Sequence, residues 1–297
     1  MVAKIVKASF PGHVVSRPSR WRVPFIFASP HSGRDYPARF MEMSLLNLKE
    51  LRRSEDAYVD MLLPPVDDVG APLLEARFPR AFLDVNRDRR EIDQHMFTAP
   101  PVEGHPLASN RVLAGFGVIP KYAADCKPIY GKKLSSAEAS ARLKWCYGPY
   151  HDMLGRLIDE CQQLFGYAIV IDWHSMPSRY AQSGYDLKDI VLGNCHGEAC
   201  RQEVFMAWQS AFKTQGFTVA ANRPYAGGHV TDLYGRPQEK VHVLQVEINR
   251  KLYLDEKKVA QLPKYFEILQ ERLFHVIKDA TRFSKSDTLY PSQFAAE

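Results

Sequence analysis

The sequence predicts an α/β protein: a three-layer α/β/α domain built on a mixed, mostly parallel sheet. Three observations carry this. Short apolar runs alternate with helix-patterned stretches along the chain, the order that builds parallel sheets. One of those runs, YAIVID at 167–172, is apolar almost throughout, as a strand covered on both faces must be. The composition, 45% hydrophobic and 25% charged over 297 residues, allows a sizeable core.

The elements follow in order. Residues 1–22 are mixed and basic and are expected to form a surface arm, with a single α/β domain over 23–297. FIFAS (25–29) reads as a buried strand that runs into the loop segment PHSGRDYP. Residues 44–63 carry helical apolar spacing. LLEAR (73–77) and AFLDV (81–85) are strand-like. Residues 88–134 are irregular and rich in Pro and Gly, and a loop region of that length is more often a functional lid than filler. A long helix is expected over 136–165, opened by Ser-Ser-Ala-Glu in the manner of a capping box. Further strands are expected at IVLGN (190–194), FTVAAN (217–222) and VHVLQVEIN (241–249), with helices near 198–214 and 260–282.

Several function classes are disfavoured. The formal net charge of +5 is small for this length, and Lys and Arg are scattered among acids rather than gathered into a stripe. Nucleic acid is therefore not the expected partner. No stretch approaches the ~18 apolar residues of a membrane span. The N-terminus has no apolar signal-peptide core, and five cysteines make no paired framework. A cytoplasmic setting is expected. Oligomeric state is not legible.

Three polar clusters sit at strand ends: Pro30-His31-Ser32-Gly33, Asp84-Val85-Asn86-Arg87 and Asp172-Trp173-His174-Ser175. Open α/β sheets bind ligands outside the carboxyl ends of their strands, so these segments should meet at one rim. His31 and His174 can each aim an imidazole into that crevice. Two histidines and a carboxylate form a catalytic zinc set that keeps a position open. Asp56 or Glu55 could supply the carboxylate. Asp56 is preferred, with Asp60 at i+4 on the same helix face as a supporting partner. Glu247 lies inside an apolar strand, where an unpaired carboxylate is costly and needs a partner or a task. The task would be a general base for water activated by the metal, and the partner would be Arg250. Arg87 offers a two-pronged donor for a substrate carboxylate, with Asn86 beside it. Equally, Arg87 could be one more surface charge in a charge-rich loop. Cys195, His196 and Cys200 do not have the spacing of a zinc module.

Taken together, SPHSGRDYP, SEDAYVD, RFPRAFLDVNRD, GFGVIPKY, PYHDML, VIDWHSMPS, DIVLGN, NRPYAGG and LQVEINRKLYLDE resemble the N-formylglutamate amidohydrolase family, in order, from about residue 24 to 256. The set is also distantly similar to the zinc carboxypeptidases. Their strand-end His-Ser, Asn-Arg pair and late-strand glutamate resemble His174-Ser175, Asn86-Arg87 and Glu247, and their first zinc histidine matches His31. They carry a ligand glutamate three residues after that histidine, where this chain has Arg34. The third ligand must then come from elsewhere, with Asp56 the candidate.

The resemblance implies a zinc carboxypeptidase-like fold and hydrolysis of N-formyl-L-glutamate to formate and L-glutamate, the last step in one route of histidine degradation. It implies one zinc ion on His31, Asp56 and His174, with other divalent metals open, and Glu247 as the base. It also implies a small dicarboxylate substrate held by Asn86 and Arg87, and by a loop at Gly227, Gly228 and Tyr234. Arg80 or Arg77 would polarise the scissile carbonyl. Two rivals remain: an amidohydrolase or peptidase for another N-acyl amino acid, and a non-catalytic binder of an acidic metabolite.

Overall fold

The structure is a computed structural model that describes residues 12–99, 106–178 and 187–282. Seven strands form one sheet: β1 (His13–Ser16), β2 (Phe25–Ser29), β3 (Leu73–Ala76), β4 (Ala168–Met176), β5 (Ile190–Gly193), β6 (Val219–Ala221) and β7 (Val241–Asn249). Their spatial order is β1-β3-β2-β4-β7-β5-β6. The pairs β3–β2, β2–β4, β4–β7 and β5–β6 are parallel, while β1–β3 and β7–β5 are antiparallel. The mixed, mostly parallel sheet is as expected.

Helices cover both faces. Alternate side chains of a strand point to opposite sides, and β4 and β7 use this cleanly. Ile169, Ile171, Trp173, Leu244, Val246 and Ile248 face the helices Gln202–Thr214 and Pro263–Arg282, packing on Trp208, Phe212, Leu273 and Val276. Ala168, Val170, Val241 and Val243 face the helix Gly148–Phe165, against Tyr150, Leu154 and Leu157. The same parity continues to Asp172, His174, Gln245, Glu247 and Asn249. Both strands therefore turn from apolar to polar on one face as they approach their carboxyl ends.

Four expectations need correction. Residues 13–16, read as part of a surface arm, add an antiparallel edge strand, with His13 opposite Ala76; residues 1–11 lie outside the described region. AFLDV is not a strand. Pro79 opens a turn in which its carbonyl accepts from the N–H groups of Phe82 and Leu83, and Asp84 N–H donates to Val118 O. Its apolar side chains are buried in a loop, which mimics strand composition. The 44–63 pattern splits into the helices Leu48–Arg52 and Val59–Leu62. Between them Tyr58 takes a left-handed conformation at φ 64°. The long helix over 136–165 is interrupted by one π-helical turn, Leu143–Tyr147. Its start is capped by Ser135, which accepts from Glu138 N–H.

Candidate active site

β2 ends at Ser29, so His31 lies two residues past it, as expected. β4 runs further than its sequence suggests, and His174 lies inside it rather than after it. In the parallel pairing of β4 and β7, His174 is registered opposite Glu247. Two buried neighbouring strands thus carry an imidazole and a carboxylate side by side on one face.

Asp56 arrives by a different route. Its backbone N–H donates to His31 O at 3.0 Å, and its carbonyl accepts from Ser32 Oγ at 3.0 Å. The break before the Val59–Leu62 helix is what frees it for this contact, so Asp56 and Asp60 do not share a helix face. The Asp60 carboxylate pairs with Arg34 instead, at 2.6 Å. Glu55 is taken by Tyr36 and Arg52, which leaves Asp56 as the carboxylate at the centre.

His31, Asp56 and His174 are all buried, and one ligand atom from each lies within 4.8 Å of the others. His31 Nε2 donates to Asp84 Oδ1 at 2.7 Å, and His174 Nε2 to Asp172 Oδ2 at 2.8 Å. With those protons fixed, both Nδ1 atoms present lone pairs. Asp56 Oδ2 faces them at 3.3 and 3.0 Å. Three lone pairs converging in a buried space repel unless a cation lies among them. A carboxylate behind each histidine is also the usual support of a metal-ligating imidazole. The donor set therefore fits a divalent ion. Among the described residues, Cys195, His196 and Cys200 form no such group.

Charge is balanced around this centre. Burial works to raise the Asp56 carboxyl, but when the ion is absent Nδ1 of His174 and of His31 donate to it instead, and these hydrogen bonds outweigh burial and hold it well below the usual carboxylate range. Asp84 behaves alike, with Arg87, His31 and Arg80 overcoming its burial. Arg80 Nε donates to Asp84 Oδ2 at 3.0 Å. Glu247 goes the other way: burial pushes it up to about 7, against the pull of His174. Its Oε1 accepts from Gln245 Nε2 at 2.8 Å. Arg250, its expected partner, instead donates to Asp56 Oδ1 and Ser175 Oγ, both at 3.0 Å. Glu247 is thus a buried carboxylate with no ion-pair partner among the described residues.

These groups open into a cavity of about 810 Å³ lined by His31, Arg80, Asn86, Arg87, His174 and Glu247, with Gly227 and Gly228 on its wall. That volume lies within the range of ligand pockets, roughly 300–1,000 Å³. The irregular 88–134 region supplies another wall through Arg111, Phe116 and Tyr122, in keeping with a functional loop.

Several expected residues have other work. Asn86 borders the cavity, but its amide is committed: Nδ2 donates to Asp172 Oδ2 at 3.5 Å, and Oδ1 accepts from Val230 N–H at 2.8 Å. A Cβ at position 228 would collide with that amide, which is why glycine stands there. Arg87 spends Nε and Nη1 on the carbonyls of Phe116 and Asn86. Its Nη2 faces Asp84 at 3.7 Å. Tyr234 does not border the cavity. Its hydroxyl bonds His151 Nδ1 at 3.0 Å, while His151 Nε2 holds Val85 O at 2.9 Å. Arg77 pairs with Asp35, which leaves Arg80 as the arginine near the centre.

Gln245, Arg111 and Tyr225 are not singled out by the sequence, and Asp172 appears there in a strand-end cluster without a role of its own. For Asp172 and Gln245 a signal was present, since each lies two positions before a chosen residue and shares its strand face.

Residues 23–254 match the model of the family described as N-formylglutamate amidohydrolase. The chain belongs to that family. It is 28% identical over 244 residues to an N-formylglutamate deformylase from Pseudomonas aeruginosa, covering 80% of this chain and 85% of that protein. A deformylase of the same name from Pseudomonas putida is 28% identical over 243 residues, covering 79% and 83%. The crystal structure of N-formylglutamate amidohydrolase from Ralstonia eutropha JMP134 superposes with a TM-score of 0.88 at 31% identity, over 93% of this chain and 99% of that one. A gene product from Agrobacterium tumefaciens shares the fold, with a TM-score of 0.67 at 18% identity over 95% and 99% of the two chains. The chain is a hydrolase that acts on an amide bond. No described helix is long and apolar enough to cross a membrane.

Proposed function

We propose that the protein hydrolyses N-formyl-L-glutamate to formate and L-glutamate, with a single zinc ion held by His31, Asp56 and His174. The observation that carries this reading is the meeting, in one cavity, of that buried donor set with an unpaired Glu247 and several guanidinium groups. The relatives named as N-formylglutamate deformylases support the choice of acyl group. The reaction would close one route of histidine degradation.

A divalent ion at that position supplies Lewis acidity to the formyl oxygen and, if it is zinc, lowers the pKa of an adjoining water to about 7. Glu247 takes the proton as the water oxygen attacks the formyl carbon, and passes it to the departing amine as the C–N bond breaks. Gln245 fixes the orientation of Glu247 for both transfers. A base whose pKa lies near neutrality suits each direction. Arg80 keeps its Nη groups free of hydrogen bonds among the described residues and stabilises the developing negative oxygen. The Nη2 edge of Arg87, which has no hydrogen bond among the described residues and lies 3.7 Å from Asp84, binds a substrate carboxylate. Asn86 supports Asp172 behind His174 and holds the Gly228–Val230 backbone rather than gripping substrate.

Release of the free amino acid from a panel of N-formyl, N-acetyl and N-succinyl amino acids tests this. N-formylglutamate should have the highest kcat/KM. A preference for another acyl group moves the enzyme to a different amide, and tight calorimetric binding of N-formylglutamate without product would show a binder instead.

A further inference from the structure

The cavity wall carries five arginines: Arg53, Arg80, Arg87, Arg111 and Arg250. Four have acidic partners. Arg53 pairs with Asp125, Arg80 and Arg87 face Asp84, and Arg250 meets Asp56. Arg111 alone has no acidic partner or side-chain hydrogen bond among the described residues. It is exposed, on the short Asn110–Leu113 helix of the irregular wall. Its neighbourhood adds positive charge rather than cancelling it. Burial lowers the Arg87 pKa, Asp84 opposes this, and Arg80 and Arg111 lower it further. Two guanidinium groups that repel each other across a cavity wall leave a place for an anion.

We infer that Arg111 holds the side-chain carboxylate of the substrate and so sets the selectivity for an acidic amino acid. This rests on the deformylase reading above and deepens it. The covalent structure of the substrate assigns the two carboxylates. The α-carboxylate is bonded to the carbon that carries the scissile nitrogen, so it must lie near the reacting centre. Arg87 is the near candidate, because its partner Asp84 also bonds His31. The side-chain carboxylate lies two methylenes further out and needs a cation away from the metal ligands. Arg111, on the outer wall and without an acid of its own, fills that position.

The test compares N-formylglutamate with N-formylglutamine, which has nearly the same shape and lacks the charge. Kinetics on the zinc-loaded wild type, Arg111→Ala and Arg111→Lys read kcat/KM for both. Arg111→Ala should lose roughly 10- to 100-fold on N-formylglutamate, the range for a lost charge-assisted hydrogen bond. It should change little on N-formylglutamine, so the preference for the acid collapses. Arg111→Lys should restore part of that preference, through charge without the forked geometry. An active wild type whose Arg111→Ala variant loses equally on both substrates, or on neither, overturns this assignment and leaves the deformylase reading intact. A wild type that leaves N-formylglutamate unhydrolysed overturns both.

Discussion

The paired central strands and the irregular wall opposite them build the same cavity in different ways. β4 and β7 are buried along their whole length, and a fixed parallel register holds His174 beside Glu247. Among its described residues, the wall between residues 88 and 134 has only short helical turns, and it brings Arg111, Phe116 and Tyr122, all exposed or half-buried, to the cavity. The difference teaches a division of labour. The base Glu247 and the ligand His174 need positions fixed to fractions of an ångström and sit on the sheet. Groups that recognise the substrate tolerate, and use, a more adaptable support. Changes on the strands should therefore act on kcat for every acyl substrate, and changes on the wall should act on KM and on selectivity.

The largest effect should come from Glu247→Gln. Loss of a positioned base should lower kcat by about 10²- to 10⁴-fold, equally for good and poor substrates, while metal content stays at the wild-type level. A Glu247→Gln enzyme with unchanged kcat would remove the base from the strands. Next is Asp172→Asn, which weakens the support behind His174 Nε2. A cost of roughly 10- to 100-fold in metal affinity or activity is expected, and titration with a competing chelator measures the first of these. Wild-type affinity in that variant would show that Asp172 is only packing. On the substrate-binding side, Tyr147→Phe, on the π-helical turn behind Arg87, removes the 2.9 Å bond from its hydroxyl to Arg87 O. KM should rise several-fold with kcat unchanged; a fall in kcat alone would blur the proposed division.

The smallest effect is on stability. Glu247 is raised by burial from 4.5 to about 7. Between those values the unfolded chain has released the proton and the folded one retains it. Stability of the metal-free protein therefore falls as pH rises through that window. Glu247→Gln has no such titration. In thermal melts of the metal-free proteins, its Tm relative to wild type should increase from pH 4.5 to pH 7.5 and then level off. A constant difference would mean that Glu247 ionises freely in the folded protein.

The same contrast governs how much was legible in the sequence. FIFAS, IVLGN and VHVLQVEIN could be read because strands covered on both faces must be apolar, and few other structures of that length require it. Glu247 stood out for the same reason, as a charge where none belongs. His31 and His174 followed from the strand ends. The loop around Asp84 misled, because Phe82, Leu83 and Val85 are buried there without being a strand. Its shape is set by distant groups: Arg142 Nη1 donates to Phe82 O at 2.9 Å, and His151 holds Val85 O. Asp56 was found although its expected helix is absent, since the contact with His31 is made by backbone that periodicity does not describe. Arg111 stayed hidden, because an unpaired arginine is visible only once every other cation has been given its partner. Tyr234 was drawn in by the neighbouring glycines, whereas its ring stacks on His151 behind the wall.

One titration bears most directly on the joint role of His31, Asp56 and His174. Enzyme stripped of metal is mixed with increasing zinc, and formate release from N-formylglutamate is followed at each step. Activity should be absent at the start, rise linearly and level off at one equivalent per chain. Full turnover by the stripped enzyme, or a rise with no break near one equivalent, would contradict a single catalytic ion at that site.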